Sequence, residues 1–341
     1  MIPYAVELSG ANPALASAEL AGASHALGGG VVGRADDLPV PLVLLELPST
    51  VPPRALSDRL ALARRLFAVW PESDAAGIVG RLRREGAQGR SAAFRRLAAP
   101  RGSLADREIL DLAAAYRAAG GRIDLGAPER RFSVARDGTG RLWIAEEAGR
   151  TDRRAFDARR MPRLPFQRPV SLAPHLARVA ANLAEVRPGD RVVDPFVGTG
   201  ALLLEAALLG ARVSGVDRDP TMVRGAIRNF AHLDVEAERL VAGDAGEAFS
   251  PSEGPGWDAV LTDPPYGRSS GSGGEPPAAL LARVLPSWAE RIRPGGRIVL
   301  VTPGGPHPLS EPWVCAASVP DRVHGSLTRE FRVYVRAPTG S

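Results

Sequence analysis

The sequence predicts an α/β protein whose carboxyl-terminal half is a doubly wound parallel sheet and whose first half is a smaller α+β region. Three observations lead there. Strand, helix and strand patterns alternate from about residue 173 onward. Three short segments each end in an acid, Asp194, Asp217 and Asp244, and the first runs into a Gly-containing loop. A fourth, residues 257–262, delivers Asp263-Pro264-Pro265-Tyr266-Gly267. In an open parallel sheet ligands bind outside the carboxyl ends of the strands, so all four acids are expected at one edge.

The first region opens with a strand over residues 4–8, a helix over 13–24 and an apolar strand over 42–47. Leu56, Leu60, Leu62 and Leu66 share roughly one face of a helix expected over 54–67. A strand over 91–98 follows, then a helix over 105–119, opened by Ser103 and closed by Gly120-Gly121. Residues 122–125 continue as a strand, and 131–134 with 142–145 read as a hairpin across Asp137-Gly138-Thr139-Gly140. The Arg-rich stretch 150–167 ends in Arg163-Leu164-Pro165-Phe166 and reads as a linker. The expected divisions are therefore 1–53, 54–149, the linker 150–167, and 168–341.

In the second half, helices are expected over 173–186, 201–209 and 278–291, and strands over 190–194, 212–217, 239–244, 257–262, 297–301 and 329–336. Gly198 and Gly200 let the backbone approach a ligand where the second of these helices begins. Asp217 stands twenty-three residues after Asp194, where an α/β nucleotide fold places the carboxylate that holds a ribose diol. Each acid taken singly reads equally well as a helix N-cap. Four in this order point to a ligand-binding edge.

A chain of 341 residues that is 45% hydrophobic can build two or three cores. No run of about eighteen apolar residues is present, and Met1-Ile2-Pro3-Tyr4-Ala5-Val6-Glu7 lacks a basic and apolar leader. A soluble cytoplasmic protein with no membrane partner is expected. Cys315 is the single cysteine, which excludes an internal disulfide and a Cys-based zinc site. The five histidines show no metal-ligand spacing, so no metal is expected. All 43 basic residues are Arg, which excludes Schiff-base chemistry on a lysine.

The net charge of +5 is unevenly distributed. Residues 1–167 hold 25 Arg against 19 acids, net +6, and residues 168–341 hold 18 against 19, net -1. Arg81, Arg83, Arg84, Arg90, Arg95, Arg96 and Arg101 have only Glu85 among them; Arg150, Arg153, Arg154, Arg159, Arg160, Arg163 and Arg168 have Asp152 and Asp157. Guanidinium groups suit phosphate, so both runs fit a polyanion, although a solvated helix face or a linker has the same pattern.

Two successive prolines hold φ near -65° and donate no backbone hydrogen bond, so the turn after residue 262 is stiff. It presents the Asp263 carboxylate, the Pro264 carbonyl and the Tyr266 ring in a fixed arrangement. Acceptors beside an aromatic face suit a planar amino group, such as the exocyclic amine of guanine, adenine or cytosine. That nitrogen is a poor nucleophile until it is held and polarised toward an electrophile, so positioning and electrostatics would carry the rate. Alone, the motif is equally an ordinary Pro-rich turn.

Asp194-Pro195-Phe196-Val197-Gly198-Thr199-Gly200 followed by Asp263-Pro264-Pro265-Tyr266-Gly267 resembles the class I S-adenosylmethionine-dependent amino methyltransferases. With residues 168–178, Arg268-Ser269-Ser270 and His324-Gly325-Ser326-Leu327-Thr328-Arg329, the chain is similar to the archaeal tRNA (guanine-10) N2-methyltransferases. These carry a ferredoxin-like unit and a THUMP RNA-binding domain ahead of the catalytic domain. The resemblance is strong over 168–341, weaker over 55–167 and faint before that.

The resemblance implies a Rossmann-like methyltransferase domain that binds S-adenosyl-L-methionine and acts on tRNA. Asp194 would be among the cofactor-binding residues; the Gly-rich loop with Gly198 and Gly200, together with Phe196, would hold the methionine part, Asp217 the ribose hydroxyls, and Asp244 or its neighbours the adenine amine. Asp263, Pro264 and Tyr266 would be catalytic, and Arg95, Arg96, Arg168 and Arg268 would meet RNA. Two departures stand out: Val197 replaces a usual Cys, and the segment before Ser171 is shortened to Arg168-Pro169-Val170. The alternatives are an amino methyltransferase for ribosomal RNA guanine or DNA adenine, and a catalytically inactive RNA-binding protein.

Overall fold

The computed structural model describes residues 1–38, 40–71, 74–85, 89–97, 106–160, 162–168, 171–247, 256–265, 275–303, 309–324 and 327–337. The chain folds into two units. The first comprises Met1–Ala11, Leu27–Asp58 and Ala63–Thr151; the second comprises Asn12–Ala26, Arg59–Leu62 and Asp152–Ser341.

The first unit is built on one eight-stranded sheet. Its strands are β1 (Ile2–Leu8), β2 (Gly30–Ala35), β3 (Leu42–Leu47), β4 (Ala63–Val69), β5 (Ser91–Arg96), β6 (Arg122–Ile123), β7 (Arg130–Arg136) and β8 (Leu142–Arg150), in spatial order β2-β3-β1-β4-β8-β7-β5-β6. The expected hairpin is β7 and β8, antiparallel with Val134 opposite Ile144. β1 pairs on one side with β3 and on the other with β4, so the strands expected on either side of residue 53 lie in a single sheet.

Residues 54–67 are not one helix. Helix α2 (Pro53–Arg59) stops, and β4 begins four residues later. Around β4 the burial is that of a sheet strand, with Leu66 and Phe67 inside and Arg64 outside, and it is held by ladders to both β1 and β8. The leucine spacing fits a helix, but two-sided pairing overrides it. Helices α3 (Ala75–Glu85) and α4 (Asp106–Ala118) complete the unit. Trp70, Ile78, Leu82, Phe94, Leu112, Tyr116 and Phe132 form a core in which the Phe94 and Phe132 rings stack at 4.8 Å.

The second unit contains α1 (Pro13–Ala26), α5 (Arg153–Ala158), α6 (Pro174–Leu183), β9 (Arg191–Asp194), α7 (Ala201–Ala207), β10 (Arg212–Asp217), α8 (Pro220–His232), β11 (Arg239–Ala242), β12 (Trp257–Thr262), α9 (Pro277–Arg291), β13 (Ile292–Thr302), β14 (Trp313–His324) and β15 (Leu327–Arg336). The sheet order is β11-β10-β9-β12-β13-β15-β14. The first five are parallel, while β15 pairs antiparallel with both β13 and β14. The sheet is thus mixed, and β14, an edge strand that contains Pro320, is an element the local pattern does not signal.

Alternation along the central strands sends side chains to two cores. Val192, Ala259, Leu261, Val299 and Val301 enter one, with α6 and α7; Val193, Val260, Ile298 and Leu300 enter the other, with Leu281, Val284 and Trp288 of α9. That is the doubly wound architecture. Helix α1 belongs here because Leu15 joins the first core. Its Glu19, fully buried, accepts hydrogen bonds from Asn182 Nδ2 and the Ala61 and Leu62 backbone N–H groups, each at 2.8 Å.

The stretch read as linker contains α5, which is N-capped by Asp152, whose Oδ1 accepts from Arg154 N at 2.9 Å. Arg159 is not a free surface charge. It meets Glu205 of α7 at 2.6 Å, and Arg178 of α6 meets the other Glu205 oxygen at 2.8 Å. Two arginines of this basic chain thus serve a buried ion cluster.

Candidate active site

The sheet reverses winding between β9 and β12, with β10 and β11 on one side of β9 and β12 and β13 on the other. At the carboxyl ends of these strands lies a cleft of about 370 Å³. Asp194, Phe196, Gly198, Asp217, Asp244 and Asp263 all line it, together with Ser171, Thr199, Met222 and Arg283.

Asp194 is 1% exposed. Its Oδ1 accepts from Phe196 N at 2.9 Å and from the Thr262 hydroxyl at 2.8 Å. Burial pushes its carboxyl up to about 7, and the neighbouring Asp263 and Asp217 charges push the same way against those two donors. Asp217 is also raised by burial, with Oδ1 accepting from Asp219 N at 2.9 Å and Oδ2 from Gly198 N at 2.8 Å. Asp244 is lowered, chiefly by Arg283, which bonds Oδ1 at 2.8 Å and Oδ2 at 3.2 Å.

The N-cap alternative is resolved for two of these acids. Helix α7 is capped by Gly200, without a side-chain bond, and α8 by Asp219, whose side chain accepts from Thr221 N at 2.7 Å. Asp194 and Asp217 therefore cap neither helix. Asp244 does accept from Gly246 N at 2.8 Å, at the short 3₁₀ turn Ala245–Glu247.

The two loop glycines do different work. Gly198 has φ +52°, and a Cβ there would meet nothing closer than a backbone oxygen at 3.8 Å, so its backbone can face a ligand closely. Gly200, at φ +89°, is needed for packing, because a Cβ would fall 2.9 Å from Phe230 Cε2. Gly200 does not line the cleft. Phe196 is held edge-on to Trp288 of α9, ring centroids 5.8 Å apart.

Asp263 and Pro265 line the cleft, whereas Pro264 is buried and does not. Tyr266, Arg268 and the glycine- and serine-rich residues 269–274 lie outside the described residues, as do Pro169 and Val170 of the shortened segment. Arg168 lines the cleft with its guanidinium over the Phe166 ring at 4.8 Å. Arg95 and Arg96 lie on β5 in the first unit, and Arg95 donates to the Leu125 carbonyl at 2.7 Å. Local sequence singled out neither Thr262 nor Arg283; the only signal for Thr262 was a hydroxyl ending an otherwise apolar run immediately before Asp263.

Three acids spread along a cleft fit a ligand that carries an ammonium, a vicinal diol and an amine. Such a site on a doubly wound sheet defines a domain of the nucleotide-cofactor class. Residues 162–310 match a family described as an RMKL-like methyltransferase domain. The tRNA (guanine(10)-N2)-dimethyltransferase of Methanothermobacter thermautotrophicus is 37% identical over 187 residues, 53% of this chain and 54% of that one. A probable tRNA (guanine(10)-N2)-dimethyltransferase of Methanothermococcus thermolithotrophicus is 33% identical over 164 residues, 47% of this chain and 96% of that one. Among solved structures, TrmN from Thermus thermophilus is 22% identical, with 98% of this chain and 99% of that chain covered and a TM-score of 0.47. The chain belongs to the tRNA (guanine(10)-N2)-methyltransferase family and carries its methyltransferase domain. It spans about half the length of the Methanothermobacter relative.

Proposed function

We propose that the protein is an S-adenosylmethionine-dependent enzyme that methylates the exocyclic N2 amine of a guanosine in tRNA, at guanine-10, the position for which its relatives are named. The observation that carries this reading is the convergence of Asp194, Asp217, Asp244 and Asp263 on one cleft.

The residues fit the methyl donor. Each Asp217 oxygen holds one backbone N–H, so each keeps a lone pair for one hydroxyl of a ribose diol. Asp194 keeps Oδ2 for an ammonium. Asp244 Oδ2, which accepts from Arg283 at 3.2 Å, keeps a lone pair for one amine hydrogen. When bound there, S-adenosylmethionine supplies an electrophilic methyl group.

The protein's part in transfer is positional. Asp263 accepts a hydrogen bond from N2 and turns the nitrogen lone pair out of the base plane; the family resemblance assigns the second hydrogen to the Pro264 carbonyl, although Pro264 is buried off the cleft, and the stacking on guanine to Tyr266. On methylation the neutral thioether would be the leaving group, its S–C bond giving way to the new N–C bond, and Asp263 would receive the proton that N2 sheds. A base must leave its stack to reach the cleft, which is easiest in a bent or looped RNA. The first unit serves as the THUMP-like RNA-binding region, with Arg95 and Arg96 on β5 as phosphate contacts; Arg168, which lines the cleft, does the same there, and Arg268 is assigned the same role by the family resemblance alone. The charge excess of residues 1–167 supports this division of labour.

The test is transfer of labelled methyl groups to unmodified tRNA transcripts, followed by nucleoside digestion. N2-methylguanosine or its dimethyl form, lost when guanine-10 is replaced, is the expected result. Label in N6-methyladenosine, or only in ribosomal RNA or duplex DNA, would overturn the substrate. Absence of cofactor binding would overturn the enzymatic reading.

A further inference from the structure

Thr262 is the last residue of β12 and fully buried, and it directly precedes Asp263. The neighbouring positions, Ala259, Val260 and Leu261, are buried and apolar. A hydroxyl at the end of such a run costs desolvation unless it is bonded. Its partner is Asp194 Oδ1 at 2.8 Å, across the β9–β12 pairing in which Val260 stands opposite Val193. Among the described residues, both hydrogen bonds that Asp194 receives fall on Oδ1, from Thr262 and from Phe196 N. That distribution fixes the carboxylate plane and leaves Oδ2 for a ligand.

We propose that Thr262 is a positioning residue whose hydroxyl orients Asp194 toward the ammonium of the cofactor and couples that acid to the strand that delivers Asp263. The proposal rests on the reading of the cleft as an S-adenosylmethionine site. Thr262 touches neither donor nor base in it and acts only through Asp194. The hydroxyl also favours the ionised carboxylate. Burial and the charges of Asp263 and Asp217 push the other way, and together they leave Asp194 titrating near neutrality, at about 7. Only the ionised form attracts an ammonium, so affinity rises as pH increases through that value.

The experiment is calorimetric binding of S-adenosylhomocysteine, which keeps the ammonium, across the neutral pH range. It compares the unsubstituted protein with Thr262→Val, Thr262→Ala and Thr262→Ser, with thermal unfolding as a check on folding. Without the hydroxyl, binding at neutral pH weakens about tenfold. The midpoint of the pH dependence moves upward by about one pH unit, so the deficit narrows in alkali. Thr262→Ser keeps the unsubstituted profile. Thr262→Ala provides a second hydroxyl-free variant should Thr262→Val not fold. An unmoved midpoint, with affinity lowered equally at every pH or not at all, would overturn the proposal. A serine variant that behaves like the valine one would do the same. If the unsubstituted protein does not bind, the reading of the cleft fails and the proposal falls with it.

Discussion

Glu19 on α1 and Asn182 on α6, 163 positions apart, are joined by a 2.8 Å hydrogen bond in which neither side chain meets solvent. The same carboxylate holds the Ala61 and Leu62 N–H groups. Three donors, two of them buried and the Leu62 N–H half-buried, thus depend on one side chain. Glu19→Ala should lower unfolding stability by about 3 kcal/mol, the cost of stranding them, as read from denaturant midpoints. Burial raises the Glu19 carboxyl from 4.5 to about 7. The folded protein keeps a proton that the unfolded chain has lost, so stability falls as pH rises from about 4.5 to 7 and then levels off. The gap between the parent and Glu19→Ala should narrow over that interval.

Gly200→Ala tests the packing role of the loop. A methyl group would fall 2.9 Å from Phe230 Cε2 in a backbone at φ +89°. A loss of about 2 kcal/mol is expected from combined strain and overpacking, seen as a lowered Tm. Gly198→Ala meets only an ordinary contact at 3.8 Å but an unfavourable φ of +52°, so its larger effect should be on S-adenosylhomocysteine affinity.

Asp263→Ala should remove transfer while leaving cofactor affinity within a few-fold of the parent. Asp194→Ala should do the reverse at the binding step, weakening affinity by about a hundredfold, the loss expected when a charge-assisted bond to an ammonium disappears. Single-turnover transfer and calorimetry together separate the two. Loss of binding in Asp263→Ala would make that residue structural.

Arg283 links Asp244 to Glu275, which it meets at 3.2 Å, and both Arg283 and Asp244 are partly exposed. Arg283→Ala should therefore change stability by less than about 1 kcal/mol. It should nevertheless weaken S-adenosylhomocysteine binding several-fold, because Asp244 loses the bidentate fork that fixes its oxygens. The comparison is of Tm against Kd in the same variant.

The edge of the second sheet was legible because its determinants are local. Short apolar runs, an acid at each end and glycines in the following loop define where strands stop, and the parallel topology then brings those ends together. The helical spacing of residues 54–67 misleads for the opposite reason. The break after Arg59 is followed by Ala61 and Leu62, whose N–H groups are taken by Glu19 some forty positions upstream, and β4 exists because β1 and β8 flank it. Neither partner is visible in a window of a dozen residues. Arg283 was hidden differently: it is one arginine among 43, and only its 39-residue jump to Asp244 sets it apart.

The second unit draws on three separated stretches, and the chain passes between units five times, at 11/12, 26/27, 58/59, 62/63 and 151/152. A fragment starting at residue 152 would contain every residue that lines the cleft, yet it would lack α1 and residues 59–62. Asn182 would lose Glu19, and the core would lose Leu15 and Ala61. The cleft is therefore not a module that recombination could lift out with one cut. A minimal catalytic fragment would have to be resurfaced along α6 rather than merely trimmed, and evolution of either unit is constrained by residues that lie, in sequence, inside the other.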